Sequence, residues 1–382
     1  MMSGDLFVCS CGGLCAATLA VSTLPRLRER LKEGIIRKQR RCAPMRYQKE
    51  SELFADNLNV MKKTFRLDGS LMQMCCAVMF AAAGRVADPD QLKQCRKLLH
   101  EKEGAFSPFR GISEAAEVCQ LALSGNPERT LDNSQEAYKL LKKELKAGRY
   151  LPLAAMLLAQ QKEPYEYEET AARTGRIYKK MKQEHRILTG AEDAAICVLM
   201  ALSERRDDDL IADMEDCYEI LKPKFFSANQ VQALSGILAL YTERPEEKCQ
   251  RVLDLYEAIR IAGRRYGTDH ELATLGLPVM LYEDMQEASA DIISLDGQLA
   301  SGIFPVTAGK KHRLMFACIL ASCSKSSQLQ AFDEEDAEST GGVPQEAIRQ
   351  TAQVNTAISI IIAQQIVMMS VVAASAASNS SH

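Results

Sequence analysis

The chain has 382 residues, of which 47% are hydrophobic and 25% charged, and its formal net charge is −3. That length holds one large domain or two to three ordinary ones, and the near-neutral charge gives no electrostatic case for nucleic acid or an anionic membrane. Trp is absent and good helix formers dominate, which points to an all-α protein. The 13 cysteines are odd in number, and Cys75, Cys76, Cys119, Cys197, Cys217 and Cys318 fall within apolar helical faces. They read as small buried hydrophobes in a reducing compartment, so a cytoplasmic setting is expected.

Residues 1–44 differ from the rest. Leu6–Val21 is mildly apolar and holds Cys9, Cys11 and Cys15, and Arg26–Arg41 is strongly basic. A signal peptide has its positive charge before the apolar run, the reverse of this order. The run is short for a membrane span. Its cysteine spacing matches no zinc pattern, so no metal is expected. We read the segment as an N-terminal extension, disordered or preceding a true start at Met45.

From residue 45 a period of about 40 residues takes over. Tyr138, Tyr178, Tyr218 and Tyr256 each open the pattern Tyr-x-x-apolar-basic, at spacings of 40, 40 and 38 residues. Thr189/Glu192, Ser227/Gln230 and Thr268/Glu271 have the spacing of capping boxes. Apolar runs follow them: AAICVLMAL, VQALSGILAL and LATLGLPVML. Each period therefore reads as an amphipathic outer helix, a capped turn and a buried inner helix. One such hairpin cannot bury its apolar face alone, so neighbours must stack. About six or seven hairpins fit within residues 45–327. The expected fold is a set of tandem antiparallel helical hairpins in a solenoid-like array, with a closed α/α toroid as the alternative.

Residues 328–346 are acidic, contain Gly341, Gly342 and Pro344, and read as a flexible linker. Residues 347–382 read as an apolar helix and tail. Ile358–Val372 is long enough to raise the question of a membrane span. However, Asn355, Gln364 and Gln365 interrupt it and no basic anchor follows, so packing as a terminal cap is expected.

Several stretches carry a family likeness: FSPFRG at Phe106–Gly111, RYLPLAAMLLA at Arg149–Ala159, IYKKMKQEHRILTGAEDAAICVLMAL at Ile177–Leu202, SANQVQALSGILAL at Ser227–Leu240 and RLMFACILA at Arg313–Ala321. In these the chain resembles a bacterial family known only as domain of unknown function 4003, common in Gram-positive lineages. The likeness spans roughly residues 46–325, with the apolar C-terminal helix left open as a further part of it. It implies no activity and no catalytic residues, and it leaves residues 1–44 outside the shared domain.

Common catalytic signatures are missing: no Walker A, no G-x-S-x-G, no H-E-x-x-H and no C-x-x-C. His185, beside Glu184 and ahead of Glu192 and Asp193, is the candidate general base or metal ligand. Its bland reading is a half-buried His at a helix end. The starts of successive inner helices would align Arg110, Glu192, Asp193, Asn229, Asp269, His270 and Arg313 on one rim. Catalysis would fall to His185, Glu192, Asp193, Asp269 or His270, and ligand binding to Arg110, Asn229 or Arg313. Capping needs the same residue types. Lys139, Lys142, Lys143, Lys146, Lys179, Lys180 and Lys182 are diluted by Glu136, Glu144 and Glu184, which suits a solvated face rather than nucleic acid. No cofactor is expected. The leading functional expectation is an interaction or scaffold module for a protein or peptide. The alternatives are a small-ligand binder or enzyme at the rim, and a protein tethered to a membrane by its C-terminal helix.

Overall fold

The computed structural model describes residues 47–145, 148, 151–267, 270–305 and 309–340, with side chains described up to Leu329 apart from that of His270. Among these residues there are fourteen α-helices and no strand. They form seven consecutive pairs. These are α1 (Gln48–Thr64) with α2 (Ser70–Ala82), α3 (Pro89–Lys102) with α4 (Glu114–Leu123), α5 (Pro127–Glu144) with α6 (Leu151–Gln161), and α7 (Tyr167–Glu184) with α8 (Ala194–Leu202). Then come α9 (Asp207–Leu221) with α10 (Ala228–Leu238), α11 (Pro245–Ile261) with α12 (Gly276–Leu281), and α13 (Met285–Ala300) with α14 (Gly309–Thr340).

Sequence pattern sorts these helices into two layers. In α5, Leu131, Ser134, Ala137 and Leu141 are buried and the intervening residues face solvent, a single apolar stripe. In α8, every residue from Ala194 to Ala201 is buried. The odd-numbered helices are thus outer and the even-numbered ones inner. Each fully buried Leu, Ile, Val or Met stabilises the fold by roughly 1.5–3 kcal/mol over its exposed state. Leu141, Met181, Leu221 and Ile259, the apolar members of the Tyr-x-x-apolar-basic pattern, are all buried at matching places on α5, α7, α9 and α11.

The contacts between helices run in two cycles. Inner helices touch in the order α2, α4, α6, α8, α10, α12, α14, and α14 returns to α2. Outer helices touch in the order α1, α3, α5, α7, α9, α11, α13, and α13 returns to α1. At the seam the Phe54 and Phe316 rings lie 5.8 Å apart and Ser324 Oγ donates to Glu50 Oε1 at 2.7 Å. This is the contact order that a closed α/α toroid requires. An open array, with two free apolar ends, is not what these contacts describe: the apolar faces of the first and last pairs cover each other.

One polar device recurs around the ring. The last carbonyls of a helix have no partner within it. Arg85 donates to the Leu123 carbonyl at the end of α4 (2.9 Å), and Arg173 to Ala201 (2.9 Å) and Ser203 (2.5 Å) at the end of α8. Arg205 serves Ala239 and Tyr241 after α10, and Arg251 serves Tyr282 after α12. A guanidinium suits both the orphan acceptors and the negative end of the helix dipole.

Four local expectations need correction. Thr189 is not a cap: its hydroxyl donates back to the Met181 carbonyl at 3.2 Å, and the cap moves one residue on, where Gly190 N–H donates to Asp193 Oδ2 at 2.8 Å. Ser227 stands at the start of α10, but its side chain makes no capping bond. The inner segment LATLGLPVML is split into a 3-10 turn, His270–Leu275, and the short α12. Close packing explains the Gly there, since a Cβ on Gly276 would lie 2.7 Å from Ile237 Cγ2. Finally, α14 runs on to Thr340, so residues 328–340 are helical where a linker is expected. Residues 1–44 and 347–382 lie outside the described residues. Among the described ones, no helix is long and apolar enough to cross a membrane.

Candidate functional site

Consecutive helices pack through short connections and so run antiparallel. The outer-to-inner connections therefore gather at one end of the ring, and the inner-to-outer connections at the other. Every described candidate from the sequence lies at the first end, but they do not converge. Arg313 pairs with the buried carboxylate of Asp296 at 2.7 and 3.3 Å, and Arg264 pairs with the same group at 2.8 Å. Arg110 reaches the Glu103 carbonyl at 3.4 Å, and Asn229 is exposed at the start of α10. Asp269 lies outside the described residues, and so does the side chain of His270.

Glu192 and Asp193 do meet, as chain neighbours folded back onto Gly190. Burial pushes the Asp193 carboxyl up to about 7, against the pull of the Gly190 N–H and with the help of the Glu192 charge. That burial follows from its place at the head of α8, under the inner layer. Next to it, Gln232 of α10 donates to the Thr189 hydroxyl at 3.2 Å.

His185 turns elsewhere. It ends α7, with its N–H on the Met181 carbonyl at 2.9 Å. Its Nε2 lies 2.8 Å from Glu215 Oε2 on the next outer helix, a close ion-pair contact without the alignment of a good hydrogen bond. Its ring packs on Tyr218, centroids 4.3 Å apart. Glu215 is pushed up by burial and held back by His185. Glu192 and Asp193, the expected companions of His185, are occupied at Gly190 instead.

Glu117 is among the buried acids that the sequence pattern did not single out. It is fully buried on α4 and accepts from the Ser113 hydroxyl at 2.8 Å. Burial drives its carboxyl well above the usual range, against the pull of the Ser113 hydroxyl and with lesser help from Glu114 and Glu103. The available signal was a Glu inside the otherwise apolar run EAAEVCQLALS. Among the described residues no group of three or more His, Cys, Asp or Glu is placed to hold a metal ion. A polar cleft of about 480 Å³ lies at the opposite end, between Arg129, Asn133, Gln160, Lys162 and Glu166, away from all the predicted residues.

The outer-to-inner end carries a second feature absent from the expectations above. Leu67 and Phe106 are fully exposed, and Ile187 and Phe226 are 95% exposed. They stand in the α1–α2, α3–α4, α7–α8 and α9–α10 connections. Each has a more buried aromatic within three residues that pins its loop to the next outer helix. Phe65 lies under the Arg96 guanidinium at 4.7 Å, Phe109 meets Tyr138 at 5.4 Å, His185 meets Tyr218 at 4.3 Å and Phe225 meets Tyr256 at 5.1 Å. Of the other exposed large apolar residues, Val86 and Tyr165 lie at the opposite end. The signal was an apolar residue inside polar turn segments such as FRLDG, HRILTG and KFFSAN.

The family described as "Protein of unknown function (DUF4003)" matches residues 57–367. The match takes in the acidic stretch and most of the apolar C-terminal run, the extension beyond residue 325 that the sequence left open. No curated protein and no solved structure matches the chain.

Proposed function

Since the chain belongs to the DUF4003 family, which brings no activity with it, we propose from the geometry that it is an interaction module, docking through the outer-to-inner end of its ring. The observation that carries this is the display of Leu67, Phe106, Ile187 and Phe226 on four pinned loops at that end. Solvent exposure of a large apolar side chain is ordinary when scattered. Here the side chains repeat at one topological position, each beside an anchor that restricts its loop. Such preorganisation lowers the ordering cost of binding. The candidate catalytic and ligand-binding groups support the same reading by being engaged in structural roles: Asp193 at a helix start, Arg313 on Asp296, and His185 between Glu215 and Tyr218. All nine described cysteines are buried and free, which accords with a reducing, cytoplasmic setting.

The test is site-specific photo-crosslinking in the native cell, with the probe at position 106 or 226 and, as a control, at Tyr165 on the opposite end. Crosslinks that form from 106 and 226 in excess of those from 165 are expected. Equal, background crosslinking at all three positions would overturn the proposal.

A further inference from the structure

The form and charge of that end say what kind of surface it meets. We propose that it docks on an anionic lipid surface, with the four apolar tips entering the interface and the basic side chains around them meeting the headgroups. This rests on the interaction reading above and commits it to a partner.

The first argument is shape. Protein interfaces are built on contiguous packed patches with a buried core. Leu67, Phe106, Ile187 and Phe226 are instead near-fully exposed side chains on four separate loops, with Ile112 the one further exposed large apolar residue in those connections among the described residues. A rigid protein partner would need a matching hole for each of the four. A fluid interface accepts them at any lateral spacing, and amphipathic surfaces with Phe, Leu and Ile beside Lys and Arg bind lipid in this way.

Charge supplies the second argument. The net charge of −3 conceals a division between the two ends. Lys62, Lys63, Arg66, Arg186, Lys224 and Lys310 are exposed at the end that carries the tips. Several acids at that end are paired, leaving Glu184 and Glu219 exposed: Asp68 and Glu114 face Arg96 at 3.7 and 3.1 Å, Glu215 faces His185 at 2.8 Å, and Asp296 faces Arg264 and Arg313. The opposite end holds the acidic first turns of the outer helices, among them Asp207, Asp208, Asp209, Glu246 and Glu247. The helix dipole accounts for bases at the helix ends and acids at the starts. It does not account for Phe, Leu and Ile among those bases. Basic residues near an anionic leaflet and apolar side chains at its boundary add to each other, and both are present at this end.

The experiment is co-sedimentation of the full chain with vesicles of phosphatidylcholine alone or mixed equally with phosphatidylglycerol. The expected result is binding to the mixed vesicles that weakens several-fold on raising salt from about 0.05 to about 0.5 M. Replacing all four tips (Leu67→Ser, Phe106→Ser, Ile187→Ser and Phe226→Ser) should lower that binding at least about tenfold while circular dichroism and the unfolding midpoint hold, because none of the four is part of the core. The chain has no Trp, so Phe106→Trp or Phe226→Trp places a single reporter at a tip. Its emission should shift to the blue on adding mixed vesicles and stay unchanged with phosphatidylcholine alone. Absence of binding to mixed vesicles, or equal binding by the four-tip variant, overturns the lipid proposal. If the parent does not bind mixed vesicles but the probe at 106 or 226 still crosslinks protein in excess of the probe at 165, the interaction reading stands and its partner is a protein. If neither lipid binding nor excess crosslinking is seen, both readings fall.

Discussion

His185 lies on Tyr218 in the place that Phe109 takes on Tyr138 and Phe225 takes on Tyr256. Three outer helices present a Tyr at matching positions, and the preceding loop returns an aromatic ring to each. His185 is thus the local version of a repeated anchor, with one addition, the contact to Glu215. That relationship separates a structural role from a catalytic one. His185→Phe should keep the stack and fall within about 1 kcal/mol of the parent, whereas His185→Ala should lose about 1–2 kcal/mol with the ring contact. Without His185 the Glu215 carboxyl, already raised by burial, moves further up. A carboxyl whose folded value lies above its unfolded one stabilises least once pH passes the folded value. The gap between parent and His185→Phe should therefore be smallest near pH 4 and widen towards neutrality. Urea unfolding at several pH values measures it, and a gap independent of pH would show that Glu215 does not depend on His185.

Much of the layering was legible because helical periodicity records it. Leu131, Ala137 and Leu141 in α5, and the unbroken apolar run of α8, mark out an outer and an inner helix by residue order alone. Closure was legible only as an alternative, and the choice between open and closed was not. It depends on the small rotation between successive pairs, and the contacts that seal it join Glu50 to Ser324 and Phe54 to Phe316, far apart in the chain. The tips were hidden for a different reason. Phe225 and Phe226 are chemically identical neighbours, and only the direction of the turn buries one on Tyr256 and exposes the other. The cap at Gly190 was missed by one residue because the Thr189 side chain turns back to donate to the Met181 carbonyl, and the Asp193 carboxylate accepts from the Gly190 N–H instead. Local propensity cannot see that competition.

Asp193 predicts a pH dependence of its own. Its carboxyl is raised by burial from the usual 3.8 to about 7. Between those values the folded chain holds a proton that the unfolded chain releases, so stability falls as pH rises from about 4 to about 7. Asp193→Asn keeps an oxygen to accept from Gly190 N–H and removes the ionisation. The variant should match the parent near pH 4 and exceed it at pH 8, by at most roughly 4 kcal/mol. Thermal unfolding across that range tests it. A parent at least as stable at pH 8 as Asp193→Asn would mean that the carboxylate has a favourable partner there.

Lys248 is fully buried between α9 and the end of α10. Its ammonium faces the Asp213 carboxylate and donates to the Tyr241 carbonyl at 3.2 Å, and Arg205 holds the other Asp213 oxygen at 2.8 Å. Removing one partner of a buried ion pair leaves the other charge under-compensated. Lys248→Met, which keeps most of the volume, should therefore cost about 3 kcal/mol even though Arg205 remains. The urea midpoint should fall with an unchanged slope. A change of less than about 0.5 kcal/mol would mean that Arg205 alone satisfies Asp213.

Closure of the ring can be tested through Phe54. It is fully buried on α1 and packs on Phe316 of α14, which in turn packs on Phe304 at 5.9 Å. Phe54→Ala should cost about 3–5 kcal/mol, a large part of the total stability of an ordinary domain. The pattern of the loss matters more than its size. In an open stack, stability is a sum of pair and neighbour terms, so damage at the first pair frays that end and leaves distant pairs protected. In a closed ring the same lesion loosens the seam between first and last pairs and exposes apolar surface on both α2 and α14. Hydrogen exchange should then accelerate in α13 and α14 as strongly as in α1 and α2. Acceleration confined to α1 and α2 would instead be the behaviour of an array with free ends.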